Sequence, residues 1–380
     1  MLFDYDTLKV IWWLLLGSLL IGFAVTDGFD LGIGTLLPFL GKTDDERRII
    51  INSIGAHWEG NQVWFVTAGG ATFAAWPLVY AAAFSGMYWA LLLVLFALFF
   101  RPVGFKYRSK LQDPRWRNSW DWLLFVGGTV PAFVFGIAFG NLLLGVPFEF
   151  DRDLRVHHSG SFFALLNPFA LLAGLLSVFM LVMHGAAYLG VKTEGDVAMR
   201  ARHALRLFAG LTIAAFALAG LWLATGIDGY RIVSMPPRDV AMIPLSKVVE
   251  RAPGAWLANY GTRPWTMLAP ALGFAGAISA IILSSAHRAG MALVASGLAV
   301  AGIILTAGFS MFPFVMPSSS SPNSSLTVWD AVSSHLTLNI LFVVVVVLLP
   351  IVICYTAWAY RVMRGTITAA SLRENEHGMY

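Results

Sequence analysis

The chain has 380 residues, of which 58% are hydrophobic and only 12% charged, with a formal net charge of +4. Soluble domains run at about 45–50% apolar and about 25% charged residues, so a water-soluble fold is excluded and the solvent must be lipid. The basic residues sit in short loops and form no basic face, which excludes nucleic acid as a partner. The single cysteine, Cys354, lies in an apolar run, so there is no disulfide framework, no Cys-x-x-Cys redox pair and no thiolate-held iron–sulfur cluster.

The start carries Asp4 and Asp6, without a positive segment or a small-residue cleavage site, so the first apolar run is expected to stay in the mature protein. About 20 apolar residues cross about 30 Å of hydrocarbon. Nine runs qualify: 8–36, 52–74, 78–101, 120–145, 163–190, 204–226, 264–286, 290–314 and 333–360. The second carries His57, Glu59, Asn61 and Gln62 in its first half; if it does not span, the count is eight. The expectation is an all-α polytopic bundle forming one membrane domain over 1–380.

Loop charge sets the orientation. Arg101, Lys106, Arg108, Lys110, Arg115 and Arg117 follow the third run; Lys192, Arg200, Arg202 and Arg206 follow the fifth; Arg361 and Arg364 follow the last. Simple alternation puts all three groups on one side, which the positive-inside rule makes cytoplasmic. The loop with Lys42, Arg47 and Arg48 joins them in the nine-helix count. Segment 148–156, with Glu149, Asp151 and Asp153, and the Ser/Pro loop 317–330, without Lys or Arg, suit the outside. The N-terminus is then periplasmic and the C-terminus cytoplasmic. Loop 227–262 is a long periplasmic cap, expected to hold little regular structure, and Ser318–Ser325 reads as a short polar turn.

Ionisable residues inside membrane spans are costly and are functional candidates by default. Asp27 and Asp30 are three apart in Thr26-Asp27-Gly28-Phe29-Asp30, so they share a helix face. They read either as a proton relay or cation site, or as acids capping a helix break at Asp-Gly. The second constellation is His57-Trp58-Glu59-Gly60-Asn61-Gln62-Val63-Trp64. Its polar density favours function; the plainer reading makes Trp58 and Trp64 interface anchors and lets Glu59 snorkel to water. Arg101 pairs with an intramembrane acid or anchors topology. Asp121 reads as a dipole-favoured acid at a helix start. His184 and His335 are lone histidines, better read as hydrogen-bonded core residues than as haem ligands.

Gly22-Phe23-Ala24-Val25-Thr26-Asp27-Gly28-Phe29-Asp30 and Trp58-Glu59-Gly60-Asn61-Gln62-Val63-Trp64 resemble the signatures of subunit II of cytochrome bd-type ubiquinol oxidases. Phe99-Phe100-Arg101-Pro102-Val103-Gly104-Phe105, Asn167-Pro168-Phe169 and Phe312-Pro313-Phe314-Val315-Met316-Pro317-Ser318 are similar to that family too, so the likeness covers essentially the whole chain. The resemblance implies a haem-free subunit of an electrogenic quinol:oxygen oxidoreductase in the bacterial cytoplasmic membrane. Haems b and d would be held by the partner, subunit I. Ubiquinol or menaquinol and oxygen would be its substrates, small single-helix accessory subunits further partners, and a structural quinone is bound in some members. The pattern places Asp27, Asp30 and Glu59 on a proton path and Trp64 near an oxygen route. It ties Trp58, Arg101 and Asp121 to haem-site integrity, with His57, Asn61 and Gln62 as polar neighbours. Where relatives often carry Asp, this sequence has Glu59. Two other classes remain: a secondary transporter coupled through Asp27, Asp30 and Glu59, and a scaffold in which the acids only satisfy buried polar groups.

Overall fold

The computed structural model describes residues 3–368. Helix α1 (Tyr5–Leu40) is one continuous rod, capped by Asp4, which accepts from the Thr7 amide. It is followed by α2 (Asp44–Gly55), a short surface helix started by a Thr43/Glu46 capping box. Helices α3 (Trp58–Ala75), α4 (Pro77–Gly86) and α5 (Tyr88–Tyr107) come next, then α6 (Pro114–Leu144). Helices α7 (Pro168–Lys192) and α8 (Gly195–Gly226) precede the short α9 (Ala258–Thr262). The set closes with α10 (Leu268–Ser285), α11 (Ala289–Met311) and α12 (His335–Val362). Proline at the first position after an Asp or Asn cap starts both α6 and α7, because the missing N–H costs nothing there.

Three antiparallel hairpins sit together at one end. Strands β1 (Phe148–Phe150) and β2 (Val156–His158) follow α6; β3 (Asp228–Ser234) and β4 (Val248–Pro253) follow α8. Strands β5 (Phe314–Met316) and β6 (Leu326–Thr327) follow α11. The starts of α1 and α12 join this hairpin end: Lys9 Nζ donates to the Arg238 carbonyl at 2.5 Å, and Trp12 Nε1 to that of Leu338 at 3.2 Å. The opposite end carries α2 and the α5–α6, α7–α8 and α10–α11 corners.

Among the described residues eight helices (α1, α5, α6, α7, α8, α10, α11 and α12) are long and apolar enough to cross a membrane. The described residues nevertheless pass between the two ends nine times, because α3 is also a pass. It begins with Asn61 on Asp30 of α1 and finishes with the Ala74 and Ala75 carbonyls on Ser333 at the hairpin end. Glu59, Asn61 and Gln62 in its first turn keep it below the hydropathy of the others. The expected 78–101 span is displaced: α4 stays near the hairpins beside β2 and β5, and the crossing helix starts after Met87 and runs through Pro102 to Tyr107.

Several expectations are corrected. α1 does not break at Asp27-Gly28, since the helical ladder runs through both acids, so the capping explanation for them falls. Loop 227–262 is more regular than expected, because β3 and β4 pair over six registered positions. Ser318–Ser325 is more than a polar turn: Ser318, Ser324 and Ser325 are buried, and Ser325 Oγ accepts from the Ser318 amide at 2.9 Å.

Close helix crossings position the buried acids. A Cβ on Gly32 of α1 would lie 2.1 Å from the Leu181 carbonyl of α7, and one on Gly128 of α6 would lie 2.4 Å from the Leu31 carbonyl of α1. Only glycine allows backbones this near. The two contacts clamp α1 between α6 and α7 within two residues of Asp30.

Candidate functional site: a buried ion cluster on α1

Asp27 and Asp30 face α5 from the interior of α1, and both are buried. Arg101 binds Asp27 with both arms of its guanidinium, Nη2 to Oδ1 at 2.7 Å and Nη1 to Oδ2 at 3.1 Å. This bidentate fork is the strongest geometry for such a pair. Arg101 Nη2 lies a looser 3.8 Å from Asp30 Oδ2. Arg101 is therefore an intramembrane partner and no topology anchor. Two carboxylates share one guanidinium, and Asp27 holds most of it. Among the described residues Asp30 Oδ1 has no hydrogen-bond partner, and it borders a cavity of about 10 Å³ walled by Ile33, Leu37, Ile54 and Phe105, the size of one water.

Asp30 is tied to α3 and beyond. Asn61 Nδ2 donates to Asp30 Oδ2 at 2.8 Å and lies 3.4 Å from His57 Nδ1. Asn61 Oδ1 accepts from the Tyr360 hydroxyl of α12 at 2.6 Å. His57 Nε2 sits 2.6 Å from the Tyr188 hydroxyl of α7, and Tyr360 stacks on the imidazole at 4.9 Å. Phe29 stacks on Tyr188 at 4.0 Å. Five helices thus meet at one polar seam. Sequence reasoning missed Tyr188 and Tyr360, because each is a lone tyrosine in an apolar run, far from the acids along the chain.

The remaining residues of the Trp58–Trp64 constellation diverge. Trp58 is buried, packs on Phe105 at 5.0 Å and lies under the Arg101 guanidinium at 5.6 Å. It is a core residue, so the interface-anchor reading fails for it. Trp64 is partly buried at the α1–α3 seam, where a Cβ on Gly22 would meet its ring at 2.9 Å. Gln62 is half-buried. Glu59 is not joined to Asp30: its side chain is 66% exposed and its ion-pair contact is Lys106, at 4.0 Å.

Asp121 is not at a helix start. Asp113 caps α6, and Asp121 lies two turns inside it, fully buried. Arg108 grips it through Nε at 2.5 Å and Nη2 at 3.1 Å, and Arg47 of α2 through Nη1 at 2.7 Å. Asp44 bridges Arg108 at 2.9 Å and Arg117 at 2.6 Å. The dipole reading gives way to an ion network riveting α2 to the α5–α6 corner. Arg47 and Arg108 had been legible only as loop charges. His184 is a core histidine as expected: its ring nitrogens lie 2.8 Å from Ser296 Oγ and 2.9 Å from the Val25 carbonyl.

At the hairpin end Lys247 is buried against Asp330, Nζ to Oδ2 at 3.0 Å, and donates to the Ser325 carbonyl at 2.5 Å. Burial holds its ammonium below the ordinary lysine range, with Asp330 opposing that shift. Mid-bundle, an apolar cavity of about 220 Å³ opens between α1, α6, α7, α8 and α11, lined by residues such as Phe23, Phe139, Phe169, Met180, Phe216 and Ile303.

Fold and cluster together define a polytopic membrane protein with buried, incompletely neutralised charge in its helical bundle. Among the described residues no group of three or more His, Cys, Asp or Glu could hold a metal ion. The family model for cytochrome bd terminal oxidase subunit II matches residues 8–363. The chain is 56% identical to cytochrome bd-I ubiquinol oxidase subunit 2 of Escherichia coli (strain K12), over 99% of this chain and 100% of the relative. It is 32% identical to cytochrome bd ubiquinol oxidase subunit 2 of Bacillus subtilis (strain 168), over 95% and 97%. A chain of the bd oxidase structure from Geobacillus thermodenitrificans superposes with a TM-score of 0.66 at 18% identity, covering 94% of this chain and 98% of that one, which shows a shared fold. The chain belongs to the cytochrome bd terminal oxidase subunit II family. These relatives give the transporter alternative no support.

Proposed function

We propose that this chain is the haem-free subunit of a quinol:oxygen oxidoreductase of the bd type, a multi-pass protein of the bacterial inner membrane that pairs with a haem-bearing subunit I. In this reading Asp30 exchanges the protons that oxygen reduction consumes. The carrying observation is the unequal sharing of Arg101: Asp27 takes the bidentate bond and leaves Asp30 as the less compensated carboxylate. A fully neutralised pair has no reason to bind or release a proton; a carboxylate in charge surplus does.

The α2 end is the cytoplasmic side. Lys42, Arg47, Arg48, Lys106, Lys110, Arg115 and Lys192 cluster there, and the positive-inside rule selects that face. The N-terminus is then periplasmic, and the 227–262 and 317–330 segments lie outside. The partner-facing surface in this reading comprises the exposed residues of α3, Glu59 and Thr67, and of α5, Trp89, Phe96 and Phe99. A largely exposed glutamate with only the loose Lys106 contact at 4.0 Å is costly against lipid and suits a second chain. There Glu59 joins the proton path at the subunit boundary. Trp58, Arg101 and Asp121 hold the framework behind the haem site, and the Trp64 seam serves oxygen access.

Ubiquinol is the quinol in this reading, a choice supported by the names of the Escherichia coli and Bacillus subtilis relatives. The 220 Å³ apolar cavity suits the tail of a structural quinone, with Ser177 and Ser310 as its polar rim. Small single-helix subunits belong to the same assembly.

The test is a reduced-minus-oxidised spectrum of membranes carrying this chain with and without its larger partner, followed by a pull-down on this chain. Haem bands that need the partner and travel with this chain support the reading. A colourless chain that purifies alone and stably folded overturns it.

A further inference from the structure

Helix α12 is the least enclosed of the spans; only Leu338 and Asn339 among its residues are buried. Its last turn is nevertheless tied down. Lys192 Nζ donates to the Met363 carbonyl at 2.5 Å, the Ile367 amide donates to the Lys192 carbonyl at 2.8 Å, and Thr366 Oγ1 meets Glu194 at 2.6 Å. These straps hold Tyr360 over His57 with its hydroxyl on Asn61 Oδ1.

The orientation of the Asn61 amide has a chemical consequence. A side-chain amide has one accepting and one donating end, and an ionised carboxylate only accepts. With Tyr360 donating to Oδ1, the NH₂ end must face Asp30, as observed at 2.8 Å. The reversed amide would aim Oδ1 at Asp30, an arrangement only the protonated acid accepts. It would also turn the NH₂ toward Tyr360, whose hydroxyl could then only accept there, so its own proton would lose Asn61 Oδ1 as acceptor.

We infer that Tyr360 is a positioning residue: by fixing the Asn61 amide it selects the ionised form of Asp30 and sets when that group takes up a proton. The inference rests on the reading of Asp30 as the proton-exchanging group. The charged neighbours of Asp30 are Asp27 on α1 and Arg101 on α5, Tyr188 on α7 lies within electrostatic reach, and His57, the residue before α3, touches Asn61. None of them touches Asn61 Oδ1. Helix α12 therefore reaches Asn61 through the Tyr360 hydroxyl and His57 through the ring of the same residue.

The experiment uses the purified, haem-loaded complex. Infrared difference spectra follow the protonated carboxyl band of Asp30 against pH, assigned by its loss in D30N. Y360F keeps the ring over His57 and removes only the hydroxyl; Y360L removes both; N61L removes the same bond from the other side. A hydrogen bond to a charged group is lost or loosened, so in all three the ratio of protonated to ionised Asp30 at fixed pH rises about tenfold. An unchanged ratio in Y360F overturns the inference whatever N61L and Y360L do. The pH profile of turnover separates the two readings: if the infrared ratio moves and the profile does not, Tyr360 still positions Asp30 but Asp30 is not the proton-exchanging group.

Discussion

Replacing Arg101 by Met tests whether the cluster is held by charge or by packing. Methionine fills much of the space of the arginine stem against Trp58, but it leaves Asp27 and Asp30 side by side with no cation. Breaking a buried ion pair by removing one partner costs about 3–5 kcal/mol, because the remaining charge is uncompensated. Here two carboxylates lose their one guanidinium, so R101M belongs at the upper end of that range. Neutralising the acids should restore most of the loss, and R101M/D27N/D30N should return to within about 1–2 kcal/mol of the starting protein, since a neutral set of similar volume packs without a buried charge. Protonation does the same job chemically. The deficit of R101M should therefore shrink as pH falls, because proton uptake by the orphaned acids removes the charge. The assay is the midpoint of haem-band loss on heating the purified complex, across a pH series. If R101M and the triple variant are equally unstable at every pH, packing against Trp58 is what matters, and the charge argument is refuted.

Other outcomes follow from the same geometry. D30N keeps the Asn61 bond and leaves the Arg101–Asp27 fork intact, so haem spectra stay normal while proton-coupled turnover falls on the order of 10²-fold, read by oxygen consumption and proton-uptake traces. D121N strips Arg47 and Arg108 of their shared acid and should lower stability by about 3 kcal/mol, seen as early cleavage of the α2 segment under limited proteolysis. At the hairpin end the sign is set by Lys247. Its folded-state value lies below the unfolded 10.5, so between the two the unfolded chain binds more protons. Stability from this group is flat below the folded value and rises with pH above it. Protease resistance of the 227–262 segment should thus improve as pH rises toward 10.5, and K247M should lose that rise.

Much of this was legible along the chain. Asp27 and Asp30 stood out because an acid three residues from another in a lipid-length apolar run has few harmless explanations. The family pattern over Gly22–Asp30 and Trp58–Trp64 pointed to the same helices. Composition gave the polytopic bundle. What stayed hidden were partners from distant segments. Arg101 lies 74 residues from Asp27, and Tyr360 299 residues from Asn61; nothing local marks either pairing. Glu59 shows the converse: its polar company suggested shared chemistry with Asp30, yet helical phase turns it outward while Asn61, two residues on, turns in. Asp121 was misread because α6 begins at Pro114, two turns before the apolar run that marked its start.

The sequence by itself determined that the chain lives in lipid, roughly where it crosses, and which side chains are too polar to be there without cause, because hydrophobic transfer energy is a local sum over consecutive residues. The tertiary structure alone decided which charge meets which, that one guanidinium serves two acids unequally, and that a tyrosine on the outermost helix sets the amide facing Asp30. Those outcomes depend on how glycine crossings such as Gly32 and Gly128 fix the rotation and depth of whole helices, and interatomic distance is a property of that packing and of no segment alone.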